Sequence, residues 1–582
     1  MKQILDWLDN RSGYRALLKE ALYEKVPGGA RWRYVWGSCL TFAFFAQVVT
    51  GTILWMFYSP SAQTAWESVY FIQYHAWGGW FLRGIHHYMA QAMIVLLVLH
   101  LMQVVIDGAY KAPRELNFWF GLGLMGVTLA LSLTGYLLPW DQKGFWATAV
   151  ATNLIAEVPL IGTILQQLVV GGVEYGHHTL TRFFALHAGI LPGLLIALVA
   201  GHVYLFRRHG IHAKDPRPSR DSYFWPDQVL KDAVACLAVM LAVVALTIYF
   251  RGAPLGPPAD PANEFPARPE WYFLFLFQFL KYVPAFWGAV LIPGIIALVF
   301  FLQPFIGKSR EGHKFNIGFL WFLLVGSAIL TFMAFSEDRG NSKHLAAEAE
   351  ADWQANRVRT LAQKSGIPPS GAVTLLRNDQ ENRARRLFSA NCSSCHRYNG
   401  HDGRGFPVDG NQSAPDLAGV ASVDWLLKLL DYDHYVSKEF FGGSKLKSGK
   451  MAEKVLKKFD DDEKKLVPKV AHLLSDLAEL PYQSKLSEEE REAGFTVFFD
   501  DLACIDCHDI ESEDEGSAPD LTGYGSKQWL SAIISDPSHE RFYGKANDRM
   551  PSFGKDRKLS TEEIGILVDW LRSEPSSLFG VP

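Results

Sequence analysis

The chain has 582 residues, 49% of them hydrophobic, and a formal charge of −4. A charge this close to neutral gives no electrostatic footprint for nucleic acid, and six cysteines in such a length exclude a disulfide scaffold. The charge is divided unevenly: residues 1–336 carry 24 Lys and Arg against 18 Asp and Glu, whereas residues 337–582 carry 32 against 42, the pattern of an apolar membrane part followed by an acidic soluble part.

In chain order, residues 1–32 mix Ile4, Leu5, Trp7, Leu8, Leu17, Leu18 and Leu22 with charges. They predict an amphipathic helix, either lying on the cytoplasmic membrane face or packed on the protein. The N-terminus is charged and the first apolar run is already a full span, so no cleavable signal peptide is expected. Seven segments then lack Asp, Glu, Lys and Arg: 35–57, 84–106, 116–140, 183–206, 233–250, 282–307 and 315–335. Each is long enough to cross a hydrocarbon core of roughly 30 Å as a helix. Cations precede span one (Lys2, Arg11, Arg15, Lys19, Lys25, Arg31, Arg33) and join spans four and five (Arg207, Arg208, Lys214, Arg217, Arg220, Lys231) and six and seven (Lys308, Arg310, Lys314). This places the N-terminus in the cytoplasm and the C-terminus outside.

Four histidines lie inside the predicted membrane part, where an ionisable group is costly and marks function. His86 and His100 sit in span two, His187 and His202 in span four. A separation of fourteen residues advances a helix by about 21 Å and nearly four whole turns, and one of fifteen does the same within about 60°. Spans two and four run in the same direction, so His86 meets His187 near the outer face and His100 meets His202 near the inner face. These are two stacked bis-histidine haem b sites. Gly37 and Gly51 in span one, and Gly121 and Gly135 in span three, repeat the fourteen-residue interval and let a flat macrocycle approach the backbone. His87 points about 100° away from His86 and is left outside the pairs; His75, His177 and His178 fall in external loops.

After span seven, residues 337–380 form a linker with a helical stretch at 345–363. Two Cys-x-x-Cys-His units follow, Cys392–Cys395–His396 and Cys504–Cys507–His508, each the attachment signature of a covalent c haem. An APDL tetrapeptide recurs at 414–417 and 518–521, and Met451 and Met550 are the only methionines beyond residue 333. A thioether opposite the proximal histidine raises a haem's potential, so Met451 and Met550 are the expected axial partners. Haem attachment of this type takes place outside the cytoplasm, in agreement with the loop charges. Nine acids lie between Asp500 and Asp520 (Asp500, Asp501, Asp506, Asp509, Glu511, Glu513, Asp514, Glu515, Asp520) without a Lys or Arg, whereas Lys445, Lys447, Lys450, Lys454, Lys457 and Lys458 surround Met451.

The segment RGIHHYMAQAMIVLLVLH at 83–100, KAPREL at 111–116, TGYLLPWDQ at 134–142, TLTRFFALH at 179–187 and PEWYF at 269–273 resemble the cytochrome b subunit of Rieske/cytochrome b complexes. The fifteen-residue spacing, the KAPREL loop and the seven spans are similar to the shorter chloroplast-type form, here in one chain with a C-terminal dihaem extension. The resemblance spans about residues 30–336. It implies haem ligation by the four paired histidines, haem propionates near Arg83 and Arg114, and an outer quinol-oxidation site with Glu270, Tyr272 and Tyr136, where Glu270 receives a quinol proton. The chloroplast-type form also carries a further haem on a cysteine at the start of span one. Val35 stands at that position here, and Cys39 lies one turn deeper.

The expected fold is all-α: a cytoplasmic segment 1–32, a four-helix haem b domain 33–225, a three-helix domain 226–336, the linker, and two small cytochrome c domains at 381–480 and 485–582. The resemblance implies quinol oxidation coupled to proton translocation in a bacterial inner membrane. One electron passes to a Rieske iron–sulfur partner, and the other crosses two b haems to an inner quinone. The c haems deliver electrons to a basic periplasmic acceptor, a cytochrome c, within a dimeric complex. Reverse flow from a periplasmic donor and a docking role for the c domains are the alternative readings.

Overall fold

The computed structural model describes residues 2–212, 220–510, 517–547 and 549–574. Lys214 and Arg217 of the cationic loop, and Glu511, Glu513, Asp514 and Glu515 of the acidic run, lie outside them. The fold is helical; among the described residues the only paired strands are Lys25–Val26 and Ser222–Tyr223. The chain forms two compact units, Met1–Arg339 with Val358–Val373, and Gly340–Arg357 with Thr374–Pro582.

Seven helices of the first unit are long and apolar enough to span a membrane: α1 (Trp32–Trp55), α2 (Gly79–Asp107), α3 (Glu115–Leu137), α4 (His177–His209), α5 (Phe224–Tyr249), α6 (Trp287–Ile306) and α7 (Arg310–Gly340). Four of them, α1, α2, α3 and α7, stay within five residues of their expected limits, whereas α5 begins nine residues early. α6 begins later than expected, because the apolar stretch before it is broken into a separate short helix, Trp271–Leu280, by the turn preceding Pro284. α4 begins six residues early, so His177 and His178, expected in a loop, occupy its first turn. α1 packs on α2 and α3 on α4, while α5 leans on both α1 and α2. The approach of α5 to α2 is close: a methyl group on Gly84 would lie 2.4 Å from Thr247 Cγ2. Before the spans, Ile4, Leu5, Trp7, Leu8 and Leu18 are exposed rather than packed on the protein.

The expected linker contains a longer helix than its composition suggested, α8 (Ser342–Ser365), whose residues up to Arg357 belong to the second unit. Its first part is held by a buried ion pair: Arg385 Nη2 donates to Glu350 (2.7 Å) while the guanidinium stacks on Trp353, 3.8 Å from the ring centre. Beyond it come α9 (Gln380–Asn391), α10 (Val423–Leu429), α11 (Asp461–Ala478), α12 (Glu488–Thr496), α13 (Lys527–Ser535) and α14 (Thr561–Leu571). Ser422, Asp460, Ser487, Ser526 and Ser560 cap five of these helices through side-chain oxygens that accept N–H bonds otherwise left unpaired. A large apolar core runs through this unit from Ala384 to Leu571, with smaller clusters beside it.

Candidate functional site

The paired histidines meet as their spacing requires. The ring centroids of His86 and His187 are 6.3 Å apart with planes at 75°, and those of His100 and His202 are 6.5 Å apart at 83°. A metal–imidazole bond of about 2 Å on each side, with roughly 1 Å from nitrogen to ring centre, puts the centroids of a bis-histidine site about 6 Å apart. The extra residue between His187 and His202 is absorbed locally. His187 lies in a wide π-turn, Leu186–Ile190, inside α4, and such a turn inserts one residue without rotating the rest of the helix.

Hydrogen bonds set which ring nitrogen faces inward. His187 Nδ1 donates to Leu131 O (3.0 Å) and His202 Nδ1 to Asn117 O (3.0 Å). Thr50 Oγ1 donates to Ala46 O (2.7 Å) and therefore accepts from His86 Nδ1 (2.9 Å). A carbonyl can only accept, so these imidazoles carry their proton on Nδ1 and leave Nε2 as the free donor atom for a metal. His100 Nδ1 is buried with no hydrogen-bond partner among the described residues. Each expected glycine faces a ligand ring of its own level. A Cβ on Gly51 would sit 3.1 Å from His86 Cε1, on Gly135 2.6 Å from His187, on Gly37 3.6 Å from His100 and on Gly121 3.5 Å from His202. The four histidines and four glycines thus fit two stacked haem sites.

At the His100–His202 level, Arg114 donates to His209 O (2.9 Å), and its Nε is buried with no partner among the described residues, an orphaned donor of the kind a propionate would satisfy. Arg83 is tied more firmly: Nη1 donates to Gln73 Oε1 and Ala253 O (both 2.8 Å) and Nη2 to Pro254 O (2.7 Å). Cys39 is buried, with its sulfur 3.9 Å from that of Cys236.

At the His86–His187 level Glu270, Tyr272 and Tyr136 come close enough to interact electrostatically. Glu270 immediately precedes a tight turn, Trp271–Phe273. Burial pushes its carboxyl above the usual range, and Lys143 opposes the shift. Tyr272 shares a short hydrogen bond with Ser132, and Tyr136 donates to Arg268 O (3.4 Å). Arg268 is clamped by Asp338 through a forked pair (3.0 and 2.8 Å). Trp271 Nε1 donates to Gln91 Oε1 (3.3 Å), and Gln91 Nε2 to His87 Nε2 (2.9 Å). His87, set aside on helical geometry, is therefore linked to this site. The missed second layer had one legible signal: a Thr-Gly dipeptide occurs at 50–51 and again at 134–135, and in each pair the threonine bonds to the ring that the glycine faces.

In the second unit the two attachment motifs are alike. His396 Nδ1 donates to Pro415 O and His508 Nδ1 to Pro519 O, each at 2.8 Å, so the proline of each APDL holds the histidine that follows its cysteine pair. Burial lowers both histidines' proton affinity, which favours the neutral form that binds metal. Met451 packs with Tyr435, Ala452 and Leu456, and Met550 against the large core.

Comparison with known proteins follows this division. A family model described as cytochrome b (N-terminal)/b6/petB matches residues 91–258, one described as cytochrome b (C-terminal)/b6/petD matches 258–347, and one described as cytochrome c matches 382–467 and 491–574. Cytochrome b of Rickettsia conorii is 34% identical over 319 residues, covering 53% of this chain and 79% of that protein. The menaquinol:cytochrome c reductase cytochrome b subunit of Bacillus subtilis is 39% identical over 219 residues, covering 36% of this chain and 98% of that protein. A solved structure of a hyperthermophilic respiratory Complex III covers 57% of this chain and 99% of its own, with a TM-score of 0.48 and 27% identity.

Proposed function

Because the chain belongs to the cytochrome b family, we propose that it is the electron-transfer core of a quinol:cytochrome c oxidoreductase that oxidises quinol beside Glu270 at the outer membrane face. One electron leaves through a Rieske iron–sulfur partner. His86 with His187 and His100 with His202 would hold the two haems that supply a path for the other electron toward a quinone at the inner face. The observation that carries this reading is the pair of facing imidazoles at each level, 6.3 and 6.5 Å apart, each ring backed by a glycine.

When bound, haem supplies reversible one-electron chemistry. The chain's own residues do the rest. Thr50, Leu131 and Asn117 hold Nε2 of three ligands toward the metal, and the glycines leave room for a flat ring. Glu270, with its raised proton affinity, accepts a quinol proton next to Tyr272 and Tyr136. Proton release outside and uptake inside then move charge across the membrane. The remaining cysteines, Cys39 and Cys236, lie together in the bundle and supply no iron–sulfur ligand set, so the Rieske cluster belongs to a separate subunit. The two c motifs would hold covalent haem through Cys392, Cys395 and His396 and through Cys504, Cys507 and His508, with Met451 and Met550 offering thioethers, and would supply one-electron chemistry for outward transfer in place of a separate cytochrome c subunit.

The cationic loops support an N-terminus in the cytoplasm and c haems in the periplasm of a bacterial inner membrane; the complex is read as a dimer. Pyridine haemochrome spectra of the purified complex test the cofactor inventory, with two b and two c haems per chain expected. Any other ratio overturns it.

A further inference from the structure

The two attachment motifs belong to equivalent repeats. In each, the proximal histidine bonds to the APDL proline, a tryptophan indole donates to the carbonyl of the following aspartate (Trp425 to Asp416 at 2.7 Å, Trp529 to Asp520 at 2.8 Å), and the APDL leucine N–H returns to the segment just after the motif (Leu417 to Arg397 O and Leu521 to Asp509 O, both 2.8 Å). The tryptophan helix of each repeat also packs on that repeat's own terminal helix, α10 on α11 and α13 on α14.

The leading helices do the opposite. α9, which opens the first repeat, packs on α14, the terminal helix of the second; α12, which opens the second, packs on α11, the terminal helix of the first. Side chains document both crossings. Arg383 on α9 pairs with Glu562 at the start of α14 (2.8 Å). Trp570 on α14 stacks on Tyr398 (centroids 4.2 Å apart, 22° between planes) and meets Phe388 edge-on (5.6 Å). All three rings are buried. Phe388 lies four residues before Cys392 and Tyr398 two after His396, so one indole from the second repeat brackets the first repeat's haem motif. In the other crossing, Gly494 on α12 lies so close to α11 that a Cβ there would be 3.0 Å from Leu473 Cβ, and Arg491 reaches Asp476 (3.7 Å).

We propose that the two c-haem sites are one interlocked unit in which each repeat completes the other's haem pocket, and that Trp570 is a positioning residue for the haem on Cys392 and Cys395 rather than for the one on its own repeat. This rests on the reading of both motifs as haem sites. Its physical content is that apolar covering and exclusion of water, which tune a haem's potential, are supplied to each site across the repeat boundary. The interlock also ties the two sites into one core, as a relay that must hold a fixed inter-haem separation requires.

Two experiments on the full-length complex test it. Arg383→Cys and Glu562→Cys are combined, bridged with a short bis-maleimide, and the chain is cut at a protease site engineered within 481–486. The two fragments are expected to stay joined at the mass of one chain on a denaturing gel. Fragments that separate, or a bridge between two copies, would overturn the exchange. Haem staining of each fragment checks the underlying reading separately, since an unstained fragment would refute that haem site whatever the bridge does. In redox titrations, Trp570→Ala should move downward the c-haem transition that Met451→His also moves, and leave the other in place, with Trp570→Phe largely restoring it. Leu473→Ala should move the transition that Met550→His identifies. If Trp570→Ala shifts the Met550 transition instead, or shifts neither, the assignment is wrong.

Discussion

At the scale of single residues, the site depends on what is absent as much as on what is present. Gly135 is the tightest case, because an added methyl would lie 2.6 Å from His187 Cε1, inside any allowed contact. Gly135→Ala is therefore expected to turn His187 away and to lose the outer b haem while the inner one remains, which haemochrome quantitation and low-temperature spectra would read. Glu270 is a case of chemistry set by burial. A carboxyl held above its usual range is protonated at low pH and becomes a competent acceptor only as pH rises through its elevated pKa. Quinol oxidation by the assembled complex should thus increase across that interval. Glu270→Gln should remove this limb and slow turnover roughly ten- to a hundredfold, at or below the low end of what positioned proton acceptors contribute, with haem spectra unchanged. Unaltered turnover would assign the proton to another group, and His87, joined to Trp271 through Gln91, is the first to examine.

At the scale of helices, α2 and α4 carry the paired histidines, while α1 and α3 bring the glycines to the same two levels. The expected consequence is loss by level rather than by helix. His86→Ala and His187→Ala, on different helices, should remove the same b haem, and His100→Ala and His202→Ala the other. Loss sorted by helix would show that the pairing is wrong. The π-turn at Leu186–Ile190 explains how a fifteen-residue interval on α4 matches a fourteen-residue interval on α2. Ideal helical arithmetic leaves the two intervals about 100° apart, and one wide turn removes the difference.

At the scale of the whole molecule, the c repeats present opposite charge. Lys445, Lys447, Lys450, Lys454, Lys457 and Lys458 are exposed around Met451, with Lys457 tied to Glu453 (2.7 Å). Asp500, Asp501 and Asp506 are exposed beside the second motif, whereas Asp520 is taken up by Arg541 (2.7 Å). An acidic face at the terminal haem favours fast, short-lived encounters with a basic acceptor. Stopped-flow oxidation by a basic cytochrome c should slow steeply with added salt, as the Debye length falls from about 30 Å at 0.01 M to 10 Å at 0.1 M. Neutralising Asp500, Asp501 and Asp506 should flatten that dependence. A rate indifferent to salt would leave these acids as a solvated face.

Much of this organisation was written in local signals. The seven spans follow from uncharged runs, the four histidines that pair from ionisable residues inside those runs, and the two alike Cys-x-x-Cys-His units from their own spelling; each can be read along one segment because composition and helical period are properties of that segment. What decided the rest was contact between segments. The bond between His86 and Thr50, the carbonyls behind His187 and His202, the approach of Cys39 to Cys236, and the Gln91 bridge from Trp271 to His87 all join residues on different helices. The exchange of α9 and α12 lay furthest from view. Both terminal helices, α11 and α14, offer an apolar stripe to a leading helix, so periodicity alone fits either partner equally well, and only packing in three dimensions selects the crossed arrangement.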